Sequence, residues 1–225
     1  MGRRSISFAV NEFYHVYNRG VDKRNIFEDK YDLFRFLKAL SVLNTEKPIG
    51  SIFEHSFKEN KENNMNTQLG GRASKLVEII CFCLNPNHYH LLLEQKAENG
   101  IPLFMQRLGT SYTMYFNEKY ERSGPLFGGR FKAVHVTSNS QLLHLSAYIN
   151  LNFEVHNKWE GAEDPLTYSS WPEYCDERKS KMCQKGIILD QFSDTEEYKR
   201  FALNSLQDIK IRRGRGENTS DIHLE

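Results

Sequence analysis

Cysteine is scarce in this sequence: four among 225 residues, at Cys81, Cys83, Cys175 and Cys183. That is too sparse for a disulfide framework and lacks CxxC zinc knuckles, so the four are read as reduced thiols. No stretch approaches the roughly 20 consecutive apolar residues of a membrane span. The opening "MGRRSISFAVNEF" carries no signal-peptide apolar block. The expectation is a soluble, cytoplasmic chain with no membrane partner. Neither sign of charge is in excess, the net being +1, so global charge neither favours nor excludes nucleic acid. No internal repeat is visible. The length suits one principal domain with a full core and a modest appendage.

Local charge says more. Arg3 with Arg4, Arg19 with Lys23 and Arg24, Arg130 with Lys132, and the tail "KIRRGRG" are basic clusters, and "FYHVYNRG" and "LFGGRFK" set cations beside aromatic rings. A single-stranded nucleic-acid groove needs such phosphate-contacting cations among rings that stack on bases. Ordinary mixed surfaces have the same ingredients.

Periodicity orders the chain. "EFYHVY" (12–17) predicts a strand ending at the turn signal "NRG", and "DKYDLFRFLKALSVLN" (29–44) a helix behind an Asp29 cap. Residues 58–75 are polar, Asn-rich and Gly-punctuated and predict an exposed insertion, after a short extra strand in "IGSIFEHSF". Strands at 77–84 and 88–94 flank Asn85-Pro86-Asn87 as a hairpin. Residues 101–120 carry an apolar helical stripe, "RFKAVHV" predicts a fourth strand, and Ser138 or Asn139 caps a helix through "SQLLHLSAYINLN". The order β-α-β-β-α-β-α predicts an α+β fold, a ferredoxin-like antiparallel sheet with helices on one face. Residues 1–157 would form the main domain and 158–207 a C-terminal extension packed on it, including a short helix in "DTEEYKRFALNSLQD". Residues 208–225 would be a flexible tail.

Within the hairpin, "NPNHYHLLLE" places His88 and His90 on one face of a strand, with Cα atoms roughly 6.5–7 Å apart. Two imidazoles so placed can converge on a divalent ion, or they can be hydrogen-bonded residues of a polar sheet face. In "YINLN", Tyr148 and Asn152 are four residues apart on a predicted helix and so share a side. A tyrosine hydroxyl reacts well only where a metal polarises its electrophile, and Asn152 offers a neutral oxygen ligand. Such an incomplete ligand set with oxygen suits Mg²⁺ or Mn²⁺. By pattern alone Tyr148 is more readily a helical core residue whose hydroxyl reaches the rim, and Tyr112, Tyr115 and Tyr120 are rival nucleophiles among which chemistry alone does not choose.

"YHVYNRGVDKRNIF", "NPNHYHLLLE", "FMQRLGTSYTMYFNEKYERSGPLFGGRFKAV", "LLHLSAYINLN" and "YSSWPEY" resemble, in that order, segments of the REP-associated tyrosine transposases. These belong to the single-tyrosine, histidine-hydrophobic-histidine (HUH) transposases of insertion sequences. The resemblance spans roughly residues 12–175. It implies metal-dependent cleavage and rejoining of single-stranded DNA beside hairpins through a 5′-phosphotyrosine link. It implies His88, His90 and Asn152 as metal ligands, Tyr148 as nucleophile, and, with local charge, Arg19, Arg130 and Lys132 as DNA contacts. The chain departs from the family in reading "LNPNH" for "LMPNH", Asn150 for a usual His, Phe153 for a usual Pro, and "LFGGRFK" for "LFQGRFK". A hairpin-binding protein with little turnover and a water-using metal-dependent nuclease are the alternatives. Monomer and homodimer both remain open.

Overall fold

The computed structural model describes residues 6–47, 74–156, 165–180 and 182–214. Arg3, Arg4, the segment "IGSIFEHSF", the 58–75 insertion up to residue 73, and the tail beyond 214 lie outside them.

Five strands form one sheet in the order β4-β1-β3-β2-β5. They are β1 (Phe13–Arg19), β2 (Val77–Asn85), β3 (His88–Gln95), β4 (Lys132–His135) and β5 (Tyr168–Ser169), and every named pairing is antiparallel. Helix α1 (Lys30–Val42) links β1 to β2, α2 (Gly100–Lys119) links β3 to β4, and α3 (Asn139–Asn150) follows β4. The first four strands and their helices are the expected ferredoxin-like α+β arrangement.

Alternation on the strands builds two cores. Tyr14, Val16, Ile79, Phe82, Leu84, Tyr89, Leu91 and Leu93 face α1 and α2. Ile80, Cys81, Cys83 and Leu92 face α3 and the C-terminal helices. Helices therefore cover both faces of the sheet, which corrects the one-face expectation. The signal lay in "VEIICFCL" and "LLL", apolar runs without alternation, which is the pattern of strands buried on both sides. A register shift between Ile79 and Cys81 turns Ile80 and Cys81 toward the second core together.

The second face is closed by the extension. β5 pairs with the end of β2, Cys83 opposite Ser169 and Leu84 opposite Tyr168. The Ser170 hydroxyl accepts from Phe82 N–H at 2.8 Å, and the Tyr174 hydroxyl donates to Ile80 C=O at 2.9 Å. Short helices α5 (Trp171–Tyr174) and α6 (Gly186–Leu189) lead to α7 (Thr195–Gly214), which lies along α3. α7 runs past residue 208, where the sequence reading places a flexible tail. Lys210 and Arg212 near its end suit the negative pole of a helix dipole. Helix α3 also differs from expectation. It ends at Asn150 with Leu151 as its cap, and Asn152 opens a separate short helix, α4 (Asn152–His156).

On the first face α1 and α2 are joined through Asp32. Asp29 caps α1 and forms a capping box with Asp32. Fully buried, Asp32 pairs with Lys119 at 2.7 Å and accepts from the hydroxyls of Tyr120 at 2.8 Å and Tyr115 at 3.1 Å. The Lys119 hydrogen bond also holds the half-buried Asp29 carboxyl below its usual range. Among the described residues no helix is long and apolar enough to cross a membrane. Replacing Asp32 with Ala is expected to destabilise the fold by about 3 kcal/mol, the low end for breaking a buried ion pair because Lys119 keeps Asp29. Urea unfolding measures it, and a loss below 1 kcal/mol would show that the network does not join the helices.

Candidate functional site

The pairing registers align the site in cross-strand rows. Arg19, His88 and Asn85 lie opposite one another across β1, β3 and β2. The next row is Lys132, Tyr17, His90 and Cys83, and the one after it Val134, His15, Leu92 and Cys81. Cross-strand partners share a face, so both histidines and two of the expected cations project from the α3 side of the sheet.

The turn that starts β3 is clasped by the loop after β1. Gly20 N–H donates to Asn87 C=O at 2.9 Å, while Ile26 and Phe27 N–H donate to Pro86 C=O at 2.7 and 3.1 Å. Gly20 is required here, because a Cβ would sit 2.1 Å from Arg24 O. Asn87 donates its amide to Lys23 C=O at 3.2 Å, which turns its Oδ1 toward His88 Nδ1 at 2.6 Å. His88 thus carries its proton on Nδ1 and presents the Nε2 lone pair to the site, a tautomer assigned from these partners. His90 is held from β1, its Nδ1 lying 2.9 Å from His15 Nε2. His15, Tyr17 and His90 stack with centroids 4.8–5.7 Å apart. Lys132 Nζ lies 5.6 Å from the Tyr17 ring centroid.

A cavity of about 270 Å³ is lined by Tyr17, Arg19, His88, His90, Arg130 and Lys132, among others. It brings together two of the expected metal ligands and all three expected DNA-contacting cations, which are exposed. Asn152 joins from α4: its Oδ1 lies 3.2 Å from His88 Nε2 and accepts from Asn85 Nδ2 at 2.8 Å. Neither Asn152 nor Tyr148 is part of the cavity wall. Tyr148 is fully buried, its ring perpendicular to His90 at 5.7 Å and to His15 at 6.5 Å.

The rival tyrosines are elsewhere. Tyr112 and Tyr115 belong to or pack against the first core, on the sheet face away from the histidines, as does Tyr120. Tyr112 donates to Ile26 C=O, and the other two donate to Asp32. Burial first, and then Asp32, push Tyr112 up strongly; burial and the Asp32 hydrogen bond raise Tyr120 to about 12 against the pull of Lys119. Of the four tyrosines only Tyr148 packs against His90 and His15.

Among the described residues no three His, Cys, Asp or Glu side chains are arranged to hold a metal. The donor set nevertheless fits a hard cation, because its further donor is an amide. His88 Nε2 and Asn152 Oδ1 are both acceptors, buried and 3.2 Å apart, and Asn152 Nδ2 has no hydrogen-bond partner among the described residues. Acceptors facing each other in a buried site need a donor or a cation between them, and here the Asn85 amide takes that place. Asn87 and His15 orient the rings from behind, as outer partners of metal-bound histidines do. His15, Tyr17, Asn85 and Asn87 were missed as site residues in the sequence. Strand parity could have flagged His15 and Tyr17 in "YHVY", but the register that sets them beside His90 is not local.

Residues 51–152 match the model of a family described as "Transposase IS200 like". The match contains His88, His90, Arg130, Lys132, Tyr148 and Asn152, and excludes β1 with Arg19. No curated protein matches the chain. A solved structure described as "Structure of the REP associates tyrosine transposase bound to a REP hairpin" is 10% identical with a TM-score of 0.47, covering 82% of this chain and 98% of that one.

Replacing His15 with Phe keeps a ring in the stack and removes the partner of His90 Nδ1. Affinity for Mn²⁺ is expected to fall about 10–100-fold in calorimetric titration. Unchanged affinity would show that His15 does not orient His90.

Proposed function

We propose that this chain, whose residues 51–152 match the IS200-like transposase model, is a transposase of that family and nicks and rejoins single-stranded DNA beside hairpins with Tyr148 as the nucleophile. One observation carries the reading. The paired histidines share a cavity with Arg19, Arg130 and Lys132, and the buried Tyr148 ring packs against His90 from the helix side.

In this reading the three cations bind the DNA backbone, and the Tyr17 ring offers a stacking surface. A divalent cation, Mg²⁺ or Mn²⁺, held by His88, His90 and Asn152 would polarise the scissile phosphate as a Lewis acid. The Tyr148 oxygen attacks phosphorus, the phenolic proton leaves, and the P–O3′ bond breaks, so that the departing 3′-oxygen takes up a proton. The phosphotyrosine ester retains the bond energy, and attack by a 3′-hydroxyl reverses the step without a nucleotide cofactor. Tyr148 has to leave its buried seat to reach the strand. Residues 1–157 would be the catalytic unit and 158–207 its supporting extension, and a DNA substrate implies work in the cytoplasm.

The complete burial of Tyr148 favours one competing reading, a nuclease in which water attacks and Tyr148 is structural. Denaturing gels of the protein with a labelled hairpin oligonucleotide and Mn²⁺ separate the two. A covalent protein–DNA species is expected, lost in Tyr148→Phe and kept in Tyr115→Phe. Cleavage with no adduct would establish the nuclease, and binding with no cleavage would establish a hairpin-binding protein.

His88→Ala and His90→Ala are expected to abolish cleavage while leaving most hairpin affinity. Lys132→Ala is expected to shallow the dependence of log K on log salt by about 0.7, the value of one single-strand phosphate contact. Full cleavage by His90→Ala, or an unchanged salt slope, would contradict these roles.

A further inference from the structure

Asn85 has no role in the reading above, yet it occupies the centre of the donor set. It is 4% exposed and stands directly across from His88 at the closing pair of the β2–β3 hairpin. Its Nδ2 lies 2.8 Å from Asn152 Oδ1, 3.2 Å from His88 Nε2 and 3.6 Å from Cys83 Sγ. Burial raises the Cys83 thiol to about 12, so it is a neutral neighbour. One amide nitrogen is thus surrounded by three acceptor atoms, the surroundings a cation would choose.

The geometry extends this. With the 3.2 Å from His88 Nε2 to Asn152 Oδ1, the heads of Asn85, His88 and Asn152 form a triangle with sides of 2.8, 3.2 and 3.2 Å. Neighbouring ligands of an octahedral cation bound at about 2.1 Å stand about 3.0 Å apart. The triangle has the dimensions of one octahedral face. An asparagine can change what it offers there without moving its backbone, because its terminal torsion is broad and roughly two-fold, and a half-turn exchanges Nδ2 for Oδ1.

We propose that Asn85 is a further metal ligand, donating its amide hydrogens to Asn152 and His88 when no cation is present and turning over to present Oδ1 when one binds. This rests on the reading of His88 and Asn152 as ligands. The NH₂ group satisfies two acceptors that would otherwise face each other, so the metal-free protein avoids part of the cost of an empty ligand set. The added neutral oxygen biases the site toward Mg²⁺ and Mn²⁺ over softer ions.

The test is calorimetric titration of MnCl₂ into the metal-stripped full chain, with thermal unfolding in EDTA and in Mn²⁺. Asn85→Met, similar in size and without the amide, is expected to bind Mn²⁺ at least about tenfold more weakly than wild type. Asn85→Asp is expected to melt below wild type in EDTA, where a carboxylate facing Asn152 Oδ1 and His88 Nε2 must take up a proton or oppose two acceptors. It is also expected to bind Mn²⁺ at least about tenfold more tightly, so that Mn²⁺ raises its melting temperature more than that of wild type. The comparison of EDTA with Mn²⁺ within Asn85→Asp is read even where Asn85→Met folds poorly. Wild-type affinity in both variants, with binding lost in His88→Ala, would overturn the role of Asn85 and leave the metal site standing. Tighter binding by Asn85→Met would make the amide a competitor of the cation and overturn the proposal. Unchanged binding by His88→Ala, or none by wild type, would overturn the metal-site reading and this proposal with it.

Discussion

The register of β3 between β1 and β2 is the constraint on which the site depends. It sets His90 beside Tyr17 and Cys83, and His88 beside Arg19 and Asn85. Strand side chains alternate with period two, so a slip of one residue would turn both histidines toward α1 and α2 and bring Tyr89 and Leu91 out in their place. The register is held at one end by the clasp of the 20–27 loop on Pro86 and Asn87. Along its length it is held by burial of alternate residues in opposite cores. The placement of His15, Tyr17, Arg19, His88, His90 and Lys132 on one sheet face follows from that single alignment.

The second core has a functional consequence because α3 is held from both sides. Beneath it lie His90 and His15; above it the Asn150 amide donates to the Tyr198 hydroxyl at 3.0 Å and accepts from Ser170 at 2.6 Å. The extension therefore fixes the helix that carries Tyr148, as well as covering the sheet edge at β2. The Asn150 side chain serves this tie to the extension. The break at Leu151 starts a new helix at Asn152 and brings its amide to His88.

Most of the fold was legible because its signals are local. Asp29 and Ser138 cap the helices they were expected to cap, and the "NPN" turn closes the hairpin. Strand parity put His88 and His90 on one face, and the cations chosen from the resemblance and local charge, Arg19, Arg130 and Lys132, line the same cavity. Two features were misread for physical reasons. The unbroken apolar runs of β2 and β3 meant two buried faces, but an amphipathic-helix argument sees one helix at a time. The Tyr148–Asn152 spacing implied one continuous helix, and tertiary ties at Asn150 accompany a break instead. The part played by His15 depends on pairing of strands 75 residues apart, and those of Asn85 and Asn87 on contacts with Asn152 and Lys23 that no local pattern carries.

A buried tyrosine beneath a histidine pair is the centre of the account, and the most direct measurement locates the covalent bond. Protein trapped with hairpin DNA and Mn²⁺ is digested with nuclease and protease, and the nucleotide-bearing peptide is sequenced by mass spectrometry. The account predicts the added nucleotide mass on Tyr148. The same mass on Tyr112, Tyr115 or Tyr120, on the opposite face of the sheet, would contradict it.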